Sequence, residues 1–98
     1  MTVHHPTIKQ LQYLVALRQH GHFGRAADAC YVTQPALSMQ VRKLEAELGV
    51  VLFDRSRTPV VATELGRRVV EQARVVLGGA ARIPDVREEA RGETAGEV

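Results

Sequence analysis

Residues 26–45 read Ala26-Ala27-Asp28-Ala29-Cys30-Tyr31-Val32-Thr33-Gln34-Pro35-Ala36-Leu37-Ser38-Met39-Gln40-Val41-Arg42-Lys43-Leu44-Glu45. A short Ala-rich amphipathic segment stops at Val32. A new helix begins at once, with Thr33 as cap and Pro35 in its first turn. Two helices joined this tightly cannot stack antiparallel; they cross steeply, which is the geometry of a helix-turn-helix. The second helix places Leu37, Val41, Leu44 and Leu48 on one face and Gln34, Ser38 and Arg42 on a neighbouring one. An apolar back with a Gln/Ser/Arg front suits a helix that lies in a DNA major groove.

Upstream, residues 1–6 read as a frayed lead-in. Thr7-Ile8-Lys9-Gln10 fits a capping box for a first helix. Ile8, Leu11, Leu14, Val15 and Leu17 give that helix a broad apolar stripe, and Gly21 stops it. The second helix is expected from about Gly24, with Phe23 as an apolar anchor just before it. Its small residues Ala26, Ala27 and Cys30 let the next helix approach closely.

Downstream, the third helix is expected to stop at Gly49. The β-prone runs Val50-Val51-Leu52-Phe53 and Val60-Val61-Ala62 flank a polar tip, Asp54 to Pro59, which reads as a small hairpin or wing. Thr63 caps a fourth helix. Along it Val69, Ala73, Val76, Ala80 and Ile83 recur at intervals of four, three, four and three, an a/d seam. Few neighbours remain in the chain to cover that seam, so it reads as a dimer contact; packing against the first helix is the competing use. Pro84 kinks the helix, ends it or restarts it as a first-turn proline. The tail from Glu88 to Val98 is acidic and poor in large apolar residues, so a linker or disorder is expected there.

The fold class is therefore mostly α: a winged helix-turn-helix of three helices and a hairpin, then a long helix. The expected division is 1–62 for the winged domain, 63–90 for a linker and dimerisation helix, and 91–98 for a flexible tail.

Charge follows this division. Residues 1–77 hold ten Lys/Arg against six Asp/Glu, a balance of +4, and residues 78–98 hold three against five, a balance of −2. The basic part coincides with the folded part, as a nucleic-acid partner requires. Aromatic content of 4% argues against stacking platforms for single strands. One cysteine, Cys30, permits no intrachain disulfide. No apolar run reaches the ~20 residues of a membrane span. The N-terminus lacks the regions of a signal peptide, so a cytoplasmic location is expected. His4, His5, His20 and His22 show no metal-ligand spacing. Without a Gly-rich phosphate loop, a zinc set or a Ser/His/Asp arrangement, neither an enzyme nor a cofactor site is expected.

The order of elements, with Leu11-Gln12-Tyr13-Leu14-Val15-Ala16-Leu17, Ala26-Ala27-Asp28-Ala29, Val32 to Ser38, Val41 to Val50, Leu52-Phe53-Asp54-Arg55 and Thr63-Glu64-Leu65-Gly66, resembles the N-terminal domain of LysR-type transcriptional regulators. The phrases Tyr13 to Leu17, His22 to Asp28 and Cys30 are similar to its peroxide-sensing, OxyR-like branch, which implies an oxidative-stress role. The resemblance implies sequence-specific binding of double-stranded DNA by a dimer on an interrupted palindrome. It implies tetramers in the full-length protein, admits RNA polymerase as a further partner, and implies an effector domain that this chain does not contain.

Carried over by position, Thr33, Gln34, Pro35 and Ser38 match the base- and phosphate-contacting start of the recognition helix. Arg42 and Arg55 match phosphate-contacting basics, and Arg57 would reach toward the minor groove from the wing. Two positions depart from the pattern. Met39 stands where many members have arginine, which suits an apolar contact such as a thymine methyl, and Thr58 stands where many have a basic residue.

Simpler roles compete at each position. Gln34 can be a solvated first-turn residue, and Ser38 can touch nothing. Arg42 and Lys43 can pair with Glu45 or Glu47. Arg55 can clamp the wing. Cys30 reads as plain packing, since a buried thiol is usually inert. The whole chain can also be read as a helical interaction or dimerisation module with no DNA role, and salt-sensitive duplex binding separates the two readings.

Overall fold

The computed structural model describes residues 5–96. Its elements are α1 (Ile8–His20), α2 (Phe23–Ala29), α3 (Gln34–Leu48), β1 (Phe53–Asp54), β2 (Val61–Ala62), α4 (Glu64–Ala81) and α5 (Ile83–Gly96). The order is that of a winged helix-turn-helix followed by a long helical extension.

Helices α1, α3 and α4 each start where a threonine cap satisfies an orphan amide. Gln10 N–H donates to Thr7 Oγ1 at 3.1 Å, and Thr7 N–H donates to Gln10 Oε1 at 2.9 Å, closing the capping box of α1. The same Gln10, although buried, donates from Nε2 to Gln40 Oε1 at 3.1 Å and so ties α1 to α3. Helix α2 begins at Phe23, one residue before the expected start, and His22 at its N-cap adopts an extended backbone without a side-chain cap. Gly21 (φ 69°) and Gly49 (φ 68°) end α1 and α3 in the left-handed region.

The core is a wedge of leucines between α1, α3 and the wing. Leu14 and Leu17 of α1 meet Leu37, Val41 and Leu44 of α3, with Leu52 and Phe53 beneath. Ala26 and Ala27 are the small residues of α2 in this wedge. Strands β1 and β2 pair antiparallel, Phe53 opposite Ala62 and Asp54 opposite Val61. The ladder is shorter than the two apolar runs suggested, because Val50 N–H donates to the Glu45 carbonyl and Leu52 N–H to the Glu45 carboxylate, while Val51 is exposed. The wing's return strand is anchored by Val60 N–H, which donates to the Gly21 carbonyl at 2.8 Å.

Helix α4 packs on α1 through Val70 and Ala73. Its start is held by Thr63, whose Oγ1 accepts from Gly66 N–H at 2.9 Å and donates to the Val51 carbonyl at 2.9 Å. A Cβ at Gly66 would overlap the Leu52 carbonyl, so this close approach of helix to backbone requires glycine.

The 63–90 segment is interrupted at Arg82, and Pro84 restarts it as the second residue of α5, one of the roles expected of that proline. Two expectations about the C-terminal half are corrected. The segment from Glu88 is helical through Gly96 instead of an irregular linker, so the expected flexible tail at 91–98 is helical as far as it is described; residues 97 and 98 lie outside the described residues. The run Val86-Arg87-Glu88-Glu89-Ala90-Arg91 consists mostly of strong helix formers, and Arg82 and Glu89 form an ion pair at 2.8 Å. Finally, Ala73 is only 2% exposed and belongs to the chain's own core, because α4 turns that face onto α1. It is not free for a partner subunit. The radius of gyration of 16.9 Å exceeds the ~13 Å of a compact chain of this length.

Candidate nucleic-acid interface

Helix α3 is two-faced. Leu37, Val41 and Leu44 are buried, whereas Gln34, Pro35, Met39, Arg42 and Lys43 are exposed and Ser38 is half-buried. Thr33 precedes them with its Oγ1 accepting from Ala36 N–H at 3.3 Å; its hydroxyl proton remains available to an acceptor. The Gln34 amide has no hydrogen-bond partner among the described residues. It hangs over the start of α2, where a Cβ at Gly24 would stand 3.7 Å from Gln34 Oε1. An unpartnered carboxamide offers one acceptor and two donors in one plane, the complement of an adenine edge.

Met39 is 60% exposed, a flexible apolar chain in the middle of a polar face. Arg42 and Lys43 form no ion pair among the described residues, so the expected surface pairs with Glu45 or Glu47 are absent. Lys9 of α1 lines one groove with Met39 and Lys43. Its placement beside α3 follows from packing that α1's own sequence does not reveal.

Glu45, one turn further along α3, works inward. Its carboxylate accepts from Leu52 N–H at 2.8 Å and Phe53 N–H at 3.3 Å, and pairs with the Arg55 guanidinium at 2.8 Å. Burial pushes the Glu45 pKa up, but the Arg55 hydrogen bond, the Leu52 amide, the Arg55 charge and the Phe53 amide together hold it below the usual carboxylate value. Arg55 also donates to the Phe53 carbonyl at 3.4 Å and stands 5.3 Å from the centre of the Phe23 ring.

The two side chains are 26% and 11% exposed for Arg55 and Glu45. Of the two roles open to Arg55, the free chain shows the clamp: its fork is directed at Glu45 and the β1 backbone and ties the wing to α3. The role of Glu45 was missed. Its only sequence signal is the Glu45/Arg55 charge pair spanning the predicted helix–wing junction.

Arg57 is exposed near the wing tip, with only a loose contact of 3.7 Å to Asp54. Hydrogen bonds from the Ser56 side chain and backbone, and then the Arg57 charge, lower the Asp54 pKa. Cys30 is half-buried, its thiol 4.0 Å from the Gln12 carbonyl, and burial pushes its pKa up. A raised pKa is the environment of an inert thiol. Among the described residues no cluster of His, Cys, Asp or Glu could hold a metal ion.

Along α4, Val69 and Ala80 are half-buried and Val76 is exposed; Ile83, at the start of α5, is 68% exposed. Leu65 and Val75 are exposed apolar residues on α4 as well. No described helix is long and apolar enough to cross a membrane.

Residues 8–67 match the family described as bacterial regulatory helix-turn-helix protein, lysR family. The chain belongs to the LysR family. Over 70 residues, 71% of the chain, it is 59% identical to a hydrogen peroxide-inducible genes activator of Pectobacterium carotovorum subsp. carotovorum. That match covers 23% of the relative, so the chain spans about a quarter of the length of the curated regulators it resembles. A full-length OxyR variant from Pseudomonas aeruginosa superposes with a TM-score of 0.80 at 47% identity, over 87% of this chain and 29% of that one. The crystal structure of the BenM_DBD/benA site 1 DNA complex gives a TM-score of 0.82 at 30% identity, over 87% of this chain and 96% of that one.

Proposed function

We propose that this chain is the DNA-reading and pairing part of a peroxide-responsive, OxyR-like LysR regulator that acts on an interrupted palindrome as a homodimer. One observation carries the reading: α3 buries Leu37, Val41 and Leu44 while holding an unpartnered Gln34 amide, Ser38, Met39 and Arg42 on a solvent face. Thr33, Gln34, Pro35 and Ser38 meet base edges and the nearest phosphates. Met39 meets an apolar base group, and Arg42 neutralises a phosphate. Arg57 extends the contact from the wing toward the minor groove. The peroxide-responsive branch rests on the hydrogen peroxide-inducible activator and the OxyR structure as similar proteins.

The pairing surface runs along α4 and into α5. With Ala73 turned into the core and Val69 partly packed against it, the exposed row is Leu65, Val76 and Ile83, flanked by half-buried Val69 and Ala80. Exposed apolar residues repeating along a projecting helix call for cover, and a second copy of the helix supplies it. Two reading helices then meet two half-sites whose spacing mirrors the dimer. In the whole regulator the dimers assemble into tetramers and act on RNA polymerase in the cytoplasm, without catalysis by this domain.

The test is selection from random duplexes at two salt concentrations, with sedimentation of the free chain. An enriched interrupted palindrome, affinity falling steeply with salt and a dimeric mass are expected. A dimer that binds no duplex at either salt would make the chain an interaction module instead.

A further inference from the structure

Three helices end on a residue in the left-handed region: Gly21 after α1, Tyr31 (φ 58°) after α2 and Gly49 after α3. The ends of α2 and α3 share one hydrogen-bond pattern. After α3, Val50 N–H donates to the Glu45 carbonyl at 3.1 Å and Gly49 N–H to the Ala46 carbonyl at 3.2 Å. After α2, Val32 N–H donates to the Ala27 carbonyl at 3.0 Å and Tyr31 N–H to the Asp28 carbonyl at 3.2 Å. Both are Schellman motifs, whose left-handed position favours glycine because a Cβ there crowds the following carbonyl. Position 31 carries one of the bulkiest side chains in that place.

Apart from the two backbone bonds of the motif, no side-chain contact among the described residues offsets the strain. Tyr31 is 96% exposed, and its phenol has no hydrogen-bond or ring partner among the described residues. The exposed ring stands in the turn two residues before Thr33, the cap of α3, whose first residue is Gln34. A strained backbone and a fully exposed aromatic ring are two local conflicts at one residue, and such conflicts gather at functional positions.

We propose that Tyr31 contacts the DNA backbone. Its phenol O–H donates to a phosphate oxygen at the edge of the groove that α3 enters, and its ring lies on the adjoining deoxyribose. The proposal rests on the DNA-reading function above. A phosphate contact holds register and carries no base information. The phenol is a neutral donor, so the contact displaces no counterion of its own.

The whole chain, Tyr31→Phe and Tyr31→Gly are titrated against the enriched duplex and a scrambled one over a salt series, and their urea midpoints are measured. Tyr31→Gly raises the midpoint, because glycine relieves the left-handed position, yet weakens binding to both duplexes by roughly tenfold. Tyr31→Phe keeps the midpoint and weakens both by about threefold, with the salt slope unchanged.

Undiminished binding by Tyr31→Gly would overturn the proposal, and so would a loss confined to the enriched duplex. If those results accompany an intact effect of Gln34→Ala, only the Tyr31 contact fails. If the unaltered chain binds neither duplex, the DNA reading fails with it.

Discussion

The two ends of α3 treat polar side chains in opposite ways. At its start Gln34 has no partner among the described residues, and Arg42 near its middle has none there either. At Glu45 the carboxylate is saturated: two β1-side amides and a guanidinium converge on it. One helix therefore carries both the surface offered to a ligand and the joint that fixes the wing. A polar group with unsatisfied capacity at the surface is free to recognise something. A satisfied one beneath the surface holds geometry, and leaving its partners unpaired is costly. Changes at the joint should therefore alter stability, and changes at the start should alter binding.

The largest expected effect is at the joint. Glu45→Ala strips the acceptor from Leu52 and Phe53 N–H and leaves Arg55 half-buried without its counter-charge, at a cost of about 2–3 kcal/mol in urea unfolding. The pH dependence has a definite sign. The folded-state pKa of Glu45 lies below its ordinary value, which is ~4.3 in an unfolded chain. Its stabilisation is thus complete above that unfolded value and is lost as pH falls toward and through the folded one. Glu45→Gln should flatten stability against pH in this acid range relative to the unaltered chain. Asp54, whose pKa is also lowered, is common to both proteins and cancels in the comparison. An unchanged acid limb would show that Glu45 does not hold the wing.

At the other end of the helix, Gln34→Ala should leave the urea midpoint within a few tenths of a kcal/mol, as expected for an exposed residue. It should weaken binding to the enriched duplex by about 1–2 kcal/mol and relax the preference at one base position. Repeating the duplex selection with the variant reads both quantities. An unrelaxed preference would move base reading away from the first turn of α3.

What could be read from the sequence separates along the same line. The caps Thr7, Thr33 and Thr63 and the stops Gly21 and Gly49 are local signals, each set by the backbone needs of a few neighbouring residues, and all stand where expected. Exposure of the Gln34 face follows from period 3.6 alone. The Glu45–Arg55 joint does not, because it depends on how the chain turns back after α3. Spacing suggested instead that Glu45 would pair with Arg42 or Lys43.

Helix α4 shows a second limit. Val70, Ala73 and Leu77 form one series with helical spacing, and Leu65, Val69, Val76 and Ile83 form another. Periodicity recognises both but cannot say which one faces the chain's own core, so Ala73 was assigned to the partner-facing set. The acidity of the tail points to a linker, yet Arg82 just before α5 is placed to pair with Glu89 within it.

The smallest effect separates two arginines that the family resemblance had treated alike. Arg42 is exposed and has no ion pair among the described residues, so Arg42→Ala should weaken all duplexes by about fivefold near physiological salt and reduce the salt slope by about one unit, the signature of one lost phosphate contact. Arg55 lies over Phe23 with its charge engaged by Glu45. Arg55→Ala should lower the urea midpoint while leaving the slope of log affinity against log salt in place at temperatures where it remains folded. Measuring both slopes side by side decides the matter. A slope change at Arg55 equal to that at Arg42 would mean the guanidinium leaves Glu45 for a phosphate on binding, and the joint would then be part of the reading surface.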